Sequence, residues 1–118
     1  MGKTVEEYLK LGLDRKYAEY FSSGRRIITD VRANDDFSLT LIFDNGEERL
    51  LSLKHILLPG TVFEPFLQLD NFKRVYLDDD HCVSWDIDPD LDSKIYWNNK
   101  VDLSPDSCYV DSVHVRYI

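Results

Sequence analysis

The stretch FSLTLIFDNGEERLLSL, Phe37 to Leu53, decides the fold class. Phe37, Leu39, Leu41 and Phe43 alternate with Ser38, Thr40 and Ile42, so one apolar row lines one face of a strand. Asp44-Asn45-Gly46-Glu47 then supplies a tight hairpin turn, because Asn-Gly tolerates the positive φ values of a type I′ turn. Arg49 to Leu53 returns as the partner strand. Upstream, Ile27, Thr29, Val31 and Ala33 alternate with Ile28, Asp30 and Arg32, and Asn34-Asp35-Asp36 turns the chain back. The prediction is a three-strand antiparallel meander.

Working outward toward the N-terminus, residues 4–23 read as two short helices. Thr4 and Glu7 have the spacing of a capping box. Gly12 interrupts, Asp14 caps a second helix through Ser22, and Gly24 is placed to end it. Tyr17, Tyr20 and Phe21 fall at helical spacing. Neither helix offers a basic recognition face, which argues against a DNA-reading helix pair.

Toward the C-terminus, a turn of helix is expected around His55–Leu58, ended by Pro59-Gly60. Val62, Phe63, Phe66, Leu67, Leu69 and Phe72 form a dense apolar patch, read as a cap over one face of the sheet. Arg74–Leu77 reads as a fourth strand and Cys82–Asp86 as a fifth, joined by a turn at Asp78–Asp80. Ile95–Trp97 is the expected sixth. Ser104 and Pro105 start a short helix as N-cap and first helical residue, and the tail Val113–Ile118 alternates as an edge strand.

The 118 residues match one domain, with 43% hydrophobic residues to build a core. The expectation is therefore a single α+β domain with a mostly antiparallel sheet of five to six strands. Residues 1–26 form an N-terminal helical extension and residues 27–118 the core. A net charge of −8 repels phosphate backbones, so nucleic acid is not the expected partner. Two well-separated cysteines, no basic-then-apolar leader and no long apolar run point to a cytoplasmic protein with reduced thiols and no membrane span.

The segment DDDHCVSWDIDPDLDSK, Asp78 to Lys94, carries the densest polar chemistry. Asp86-x-Asp88-x-Asp90 resembles the opening of a calcium-binding loop. That loop needs glycine at its sixth position and glutamate at its twelfth, where Leu91 and Trp97 stand. Adjacent strand residues face opposite sides, so His81 and Cys82 make a poor transition-metal clamp. Cys82 reads as a small core residue and His81 as a turn residue. No nucleophile elbow and no glycine-rich phosphate loop is present, so neither an enzyme nor a cofactor is expected. Trp85, alternating with Val83 and Ile87, reads as core. Asp86, Asp88, Asp90, Asp92 and the more exposed Trp97 read as an acidic, aromatic-edged docking surface for a basic protein.

The run Phe37–Glu47, then Leu51-Ser52-Leu53, Leu57-Leu58 and Val62-Phe63, then Phe72–Asp78, and finally Trp97–Asp106 with Tyr109, resembles a small bacterial family catalogued as domain of unknown function 2442. The resemblance covers roughly residues 27–110. Two departures stand out: Asn99-Lys100 replaces the family's usual glycine turn after the tryptophan, and Asp86–Ser93 looks like an insertion. The resemblance implies a compact α+β fold. Some family members are fused to a helix-turn-helix domain. Others look like the second gene of a two-gene pair, proposed as the antitoxin half of a toxin–antitoxin-like system. No catalytic residue comes with the family.

The functional expectation is a non-enzymatic protein-binding module of that antitoxin kind, with a cognate partner more basic than itself. The alternative is a small-ligand or cation-binding regulatory domain. A homodimer is also expected to be open to this chain, because an open sheet has an edge that must be covered, paired or charged.

Overall fold

Thr4 starts the fold with its side chain. In the computed structural model, which describes residues 3–117, Thr4 Oγ1 accepts from the Glu7 N–H at 3.2 Å and Glu7 Oε1 accepts from the Thr4 N–H at 3.4 Å. This is the expected capping box, and it opens helix α1 (Val5–Lys10). Helix α2 (Arg15–Ser23) has Asp14 at its N-cap position without a side-chain bond. Gly24 ends it at φ 102, a conformation that L side chains rarely adopt. Tyr8 and Phe21 join the two helices with ring centroids 5.7 Å apart.

The meander is present as β1 (Ile28–Ala33), β2 (Ser38–Phe43) and β3 (Glu48–Ser52). Leu39, Leu41 and Phe43 are buried along one face of β2. Two details differ from the sequence reading. First, β1 carries an irregularity between Ile28 and Asp30. The extra residue switches faces, so Ile28 is buried with Val31 and Ala33 packed on the core, while Ile27 is exposed. Second, the β2–β3 turn is a three-residue loop. Phe43 N–H bonds to Glu47 O at 3.0 Å, and Gly46 N–H to Phe43 O at 2.9 Å. Gly46 takes the positive φ (84) by itself, while the Asn45 side chain accepts from the Glu47 N–H at 3.0 Å. Asn45 is thus used as a side-chain acceptor, and the glycine supplies a bulge in place of a type I′ pair.

A single sheet of five to six strands does not form. Among the described residues there are two antiparallel sheets: β1-β2-β3 extended by β7 (Val113–His114), and a second made of β4 (Tyr76–Leu77), β5 (Val83–Asp86) and β6 (Lys100–Leu103). β4 lies beside β1 without a ladder. The Ile28 carbonyl, on the outer side of β1, instead faces His81 Nδ1 at 3.1 Å; a carbonyl only accepts, so this nitrogen carries the proton. His81 itself sits in a turn at φ 62.

The expected strand at Ile95–Trp97 is also absent. Ile95 and Tyr96 give their N–H groups to Asp92 O at 3.0 and 2.9 Å, and Trp97–Asn99 is a 3-10 turn. With those donors spent locally, strand β6 begins only at Lys100. In place of a helical turn at His55–Leu58, Ile56 and Leu57 close one turn onto Leu53 O, both at 3.0 Å. Helix α4 (Pro105–Asp111) begins as expected, with Ser104 accepting from the Ser107 N–H. The C-terminal edge strand is only two residues long. Val115–Tyr117 is a 3-10 turn, and Ile118 lies outside the described residues.

The core centres on Trp85, which is 0% exposed. Phe63, Phe66 and Phe72 surround its ring at 6.3, 5.4 and 5.9 Å, and its Nε1–H donates to Phe72 O at 2.9 Å. These rings come from the predicted apolar cap: Phe63, the 3-10 turn that follows it (Glu64–Leu67) and helix α3 (Leu69–Phe72). Val62 and Leu67 of the same patch stay exposed. The N-terminal helices are tied to this body through α2 and α4. Tyr20 Oη donates to Asp106 at 2.5 Å, and Arg25 holds the other carboxylate oxygen at 2.6 Å. No helix among the described residues is long and apolar enough to cross a membrane.

Replacing Trp85 with alanine removes a fully buried side chain and its hydrogen bond. The expected cost is about 3–5 kcal/mol, read as a lower urea midpoint with an unchanged slope.

Candidate docking surface

The three-stranded sheet has one face of each character. Leu77, Val83, Trp85, Val101 and Leu103 face the core. The opposite face carries Tyr76, Ser84, Asp86, Lys100 and Asp102, as the alternation along paired strands requires. The acidic loop between β5 and β6 folds back over this polar face. Ser93 Oγ donates to Asp86 at 2.6 Å, and Tyr76 Oη donates to the same oxygen at 2.7 Å. Burial first, then the Asp86 carboxylate, pushes the Tyr76 hydroxyl above its ordinary range.

Asn99 closes the loop. It is buried, and its Oδ1 accepts from the Asp88 N–H at 2.8 Å. Its Nδ2 donates to Asp88 O at 2.9 Å and to Ser93 Oγ at 3.1 Å. The Asn99 carbonyl accepts from the Ile87 N–H at 2.7 Å, which continues the β5–β6 ladder by one pair. One amide thus satisfies groups along the whole loop.

The five sequence candidates separate on this frame. Asp86 is half-buried and spent on Tyr76 and Ser93. Asp88 and Asp92 are exposed, and each accepts a backbone N–H two residues on, as turn-forming aspartates do. Asp90 is exposed. Trp97 is 82% exposed, with Ile95 at 70% and Tyr96 at 50% beside it. Ile87 and Leu91 of the same loop are exposed as well. The surface is therefore apolar and acidic together: the aspartates shape and charge it, and the apolar side chains face solvent. Ile95 and Tyr96 are not among the sequence candidates, because the pattern there predicts a strand.

Beneath the loop, Asp78 is nearly buried, with its side chain 9% exposed. It accepts from the Cys82 and Asp80 N–H groups at 2.9 Å each, and from Lys100 Nζ at 2.6 Å. Burial opposes its ionisation, but Lys100 and the two N–H donors outweigh it and hold the carboxyl below the usual carboxylate range. Asp78, Cys82 and Asp102 bring donor atoms within 4.8 Å of one another, the spacing of a metal site. Lys100 already supplies the positive charge there, 2.6 Å from Asp78 and 3.7 Å from Asp102. Burial and the surrounding carboxylates also push the Cys82 thiol up, away from the thiolate a metal needs. Cys82 is half-buried at this polar cluster, not in the core as the sequence reading had it. Cys108 is the core thiol, pushed up to about 12 by burial.

A family model matches residues 28–113, from the first strand through the start of the last. The chain belongs to the family described as Protein of unknown function (DUF2442). The match spans both sheets and the acidic loop, while α1 and α2 lie outside it. No curated protein and no solved structure matches the chain.

Two outcomes test this geometry. Asn99→Ala is expected to release the loop, costing about 1–3 kcal/mol and raising hydrogen exchange at the Asp88 amide; unchanged exchange there would contradict its role. Asp78, with a lowered folded pKa, contributes stability that is complete above its unfolded value and lost as pH falls through the folded one. In Lys100→Ala the folded pKa moves back up toward the unfolded value, so the stability lost between neutral and acid pH is expected to be smaller than in the parent, read from melting curves recorded across that range.

Proposed function

We propose that this chain is a non-enzymatic protein-binding module that docks through the 87–97 loop onto a more basic cognate protein. The observation that carries the reading is Trp97, 82% exposed beside Ile95 and Tyr96 on a loop held in shape by Asn99. A large aromatic in solvent costs hydration free energy when isolated, and is the commonest anchor of a protein interface. The aspartates around it set the charge of the partner and speed encounter with a basic surface. The finer form of the proposal is an antitoxin-like role in a two-gene pair, the neighbouring gene encoding the partner.

A second reading has its own observation. A cleft of about 390 Å³ beside the loop is lined by Tyr76, Leu77, Asp78, Asp79, Asp80, Ser93, Lys94 and Lys100. Its three aspartates outnumber its two lysines, which suits a small cationic ligand and a regulatory role. A thermal-shift screen of amines and divalent cations tests it, since a ligand that binds the folded state alone raises the melting temperature.

For the leading reading, titration calorimetry with the purified product of the adjacent gene is expected to give a complex. Trp97→Ala is expected to weaken that complex by about 2 kcal/mol without shifting the melting temperature. Equal affinity of the variant and the parent would sink the assignment of the loop.

A further inference from the structure

Among the described residues, four strands form the outer edges of the two sheets, and their protection differs. β1 is bulged near Ile28, its Ile28 carbonyl meets His81, and β4 lies beside it. β4 and β7 have two residues each, and β7 runs directly into a 3-10 turn. β6 has four residues, Lys100-Val101-Asp102-Leu103, in regular register with β5 and no proline or bulge. A lysine on an edge strand ordinarily discourages an incoming strand, but Lys100 turns its ammonium onto Asp78 and Asp102 instead.

The ladder fixes which backbone groups of β6 face outward. Ile87 N–H bonds to Asn99 O, so the bonded pairs of this antiparallel ladder are Ile87 with Asn99, Trp85 with Val101 and Val83 with Leu103. The intervening residues of β6 therefore turn their N–H and C=O groups away from β5. Lys100 N–H closes the 3-10 turn onto Trp97 O. The outward row of β6 is then the Lys100 carbonyl with the Asp102 N–H and carbonyl, a donor between two acceptors. The exposed Trp97 stands three residues upstream.

We propose that the partner engages by strand addition, with an extended, lysine- or arginine-bearing segment lying along β6 as a fourth strand of the sheet. The inference rests on the docking reading above and names the partner's element. Charge decides the occupant. Residues 86–103 hold five aspartates against two lysines, and both lysines are ion-paired within the chain. A second copy would bring another chain of net charge −8 against this acidic edge, whereas a basic strand would neutralise it.

Proline at position 102 removes the outward N–H and leaves the β5–β6 bonds in place, as prolines on free edges do; Asp102→Ala keeps the N–H and serves as its control. The probe is an alternating lysine–valine peptide about eight residues long, with the glutamate–valine counterpart beside it. Hydrogen exchange by NMR is expected to slow about tenfold at the Asp102 amide with the lysine peptide at about 1 mM. The glutamate peptide is expected to leave it unchanged. Asp102→Ala is expected to bind the lysine peptide to within about threefold of the parent, and Asp102→Pro at least about tenfold more weakly. Absence of protection, equal protection by both peptides, equal binding by the two variants, or a concentration-dependent dimer that buries the Asp102 amide would each overturn strand addition. Its failure alongside a Trp97-dependent complex with the adjacent gene's product would remove this inference alone. Strand addition that ignores Trp97→Ala would instead remove the loop reading.

Discussion

The indole of Trp85 must be both dry and hydrogen-bonded, and most of the architecture follows from that constraint. Its ring is buried among Phe63, Phe66 and Phe72, and its one polar atom is satisfied by the Phe72 carbonyl. A buried N–H without a partner would forfeit much of what the ring's burial gains. Phe72 ends α3, so that bond couples the end of the aromatic cap to the middle of β5. With β5 placed this way, its two neighbours build the second sheet and the polar residues alternate to the other face.

That polar face explains the acidic loop. Ser84 is fully buried on it, and Asp78 nearly so, which would be unfavourable without the Lys100 ammonium and the backbone donors around Asp78. The loop lies over this layer and is held by Asn99. The same enclosure that satisfies Asp78, Asp86 and Asn99 leaves Ile95, Tyr96 and Trp97 with no interior to enter. Exposure of those residues is thus a consequence of polar satisfaction beneath them, and the docking surface and the polar layer are two sides of one arrangement.

Much of the framework was legible along the chain. Alternation in Phe37–Phe43, the Thr4–Glu7 cap, the Ser104-Pro105 helix start and the burial of Trp85 all rest on interactions within a few residues or on strong period-two patterning. The misreadings share a cause. The β1 bulge, the Gly46 loop and the local bonds at Asp92–Tyr96 each depend on one residue's hydrogen-bond choice, and neighbouring choices have nearly equal energy. Asn99 stands out in the sequence only as a departure from the family's glycine turn; its role appears only when Ile87, Asp88 and Ser93 are brought to it.

The sequence by itself determined an acidic α+β domain, the meander, the two buried and exposed roles of its tryptophans, and the location of its densest carboxylates. Period-two burial and local capping are short-range physics, so they are written in consecutive residues. Tertiary structure decided that the strands divide into two sheets, that Lys100 neutralises Asp78 beneath the loop, and that β6 is an outer strand of its sheet. Those outcomes turn on charges and backbone groups distant in the chain. Their energies are set by which of them share a desolvated space, and no window of sequence contains that information.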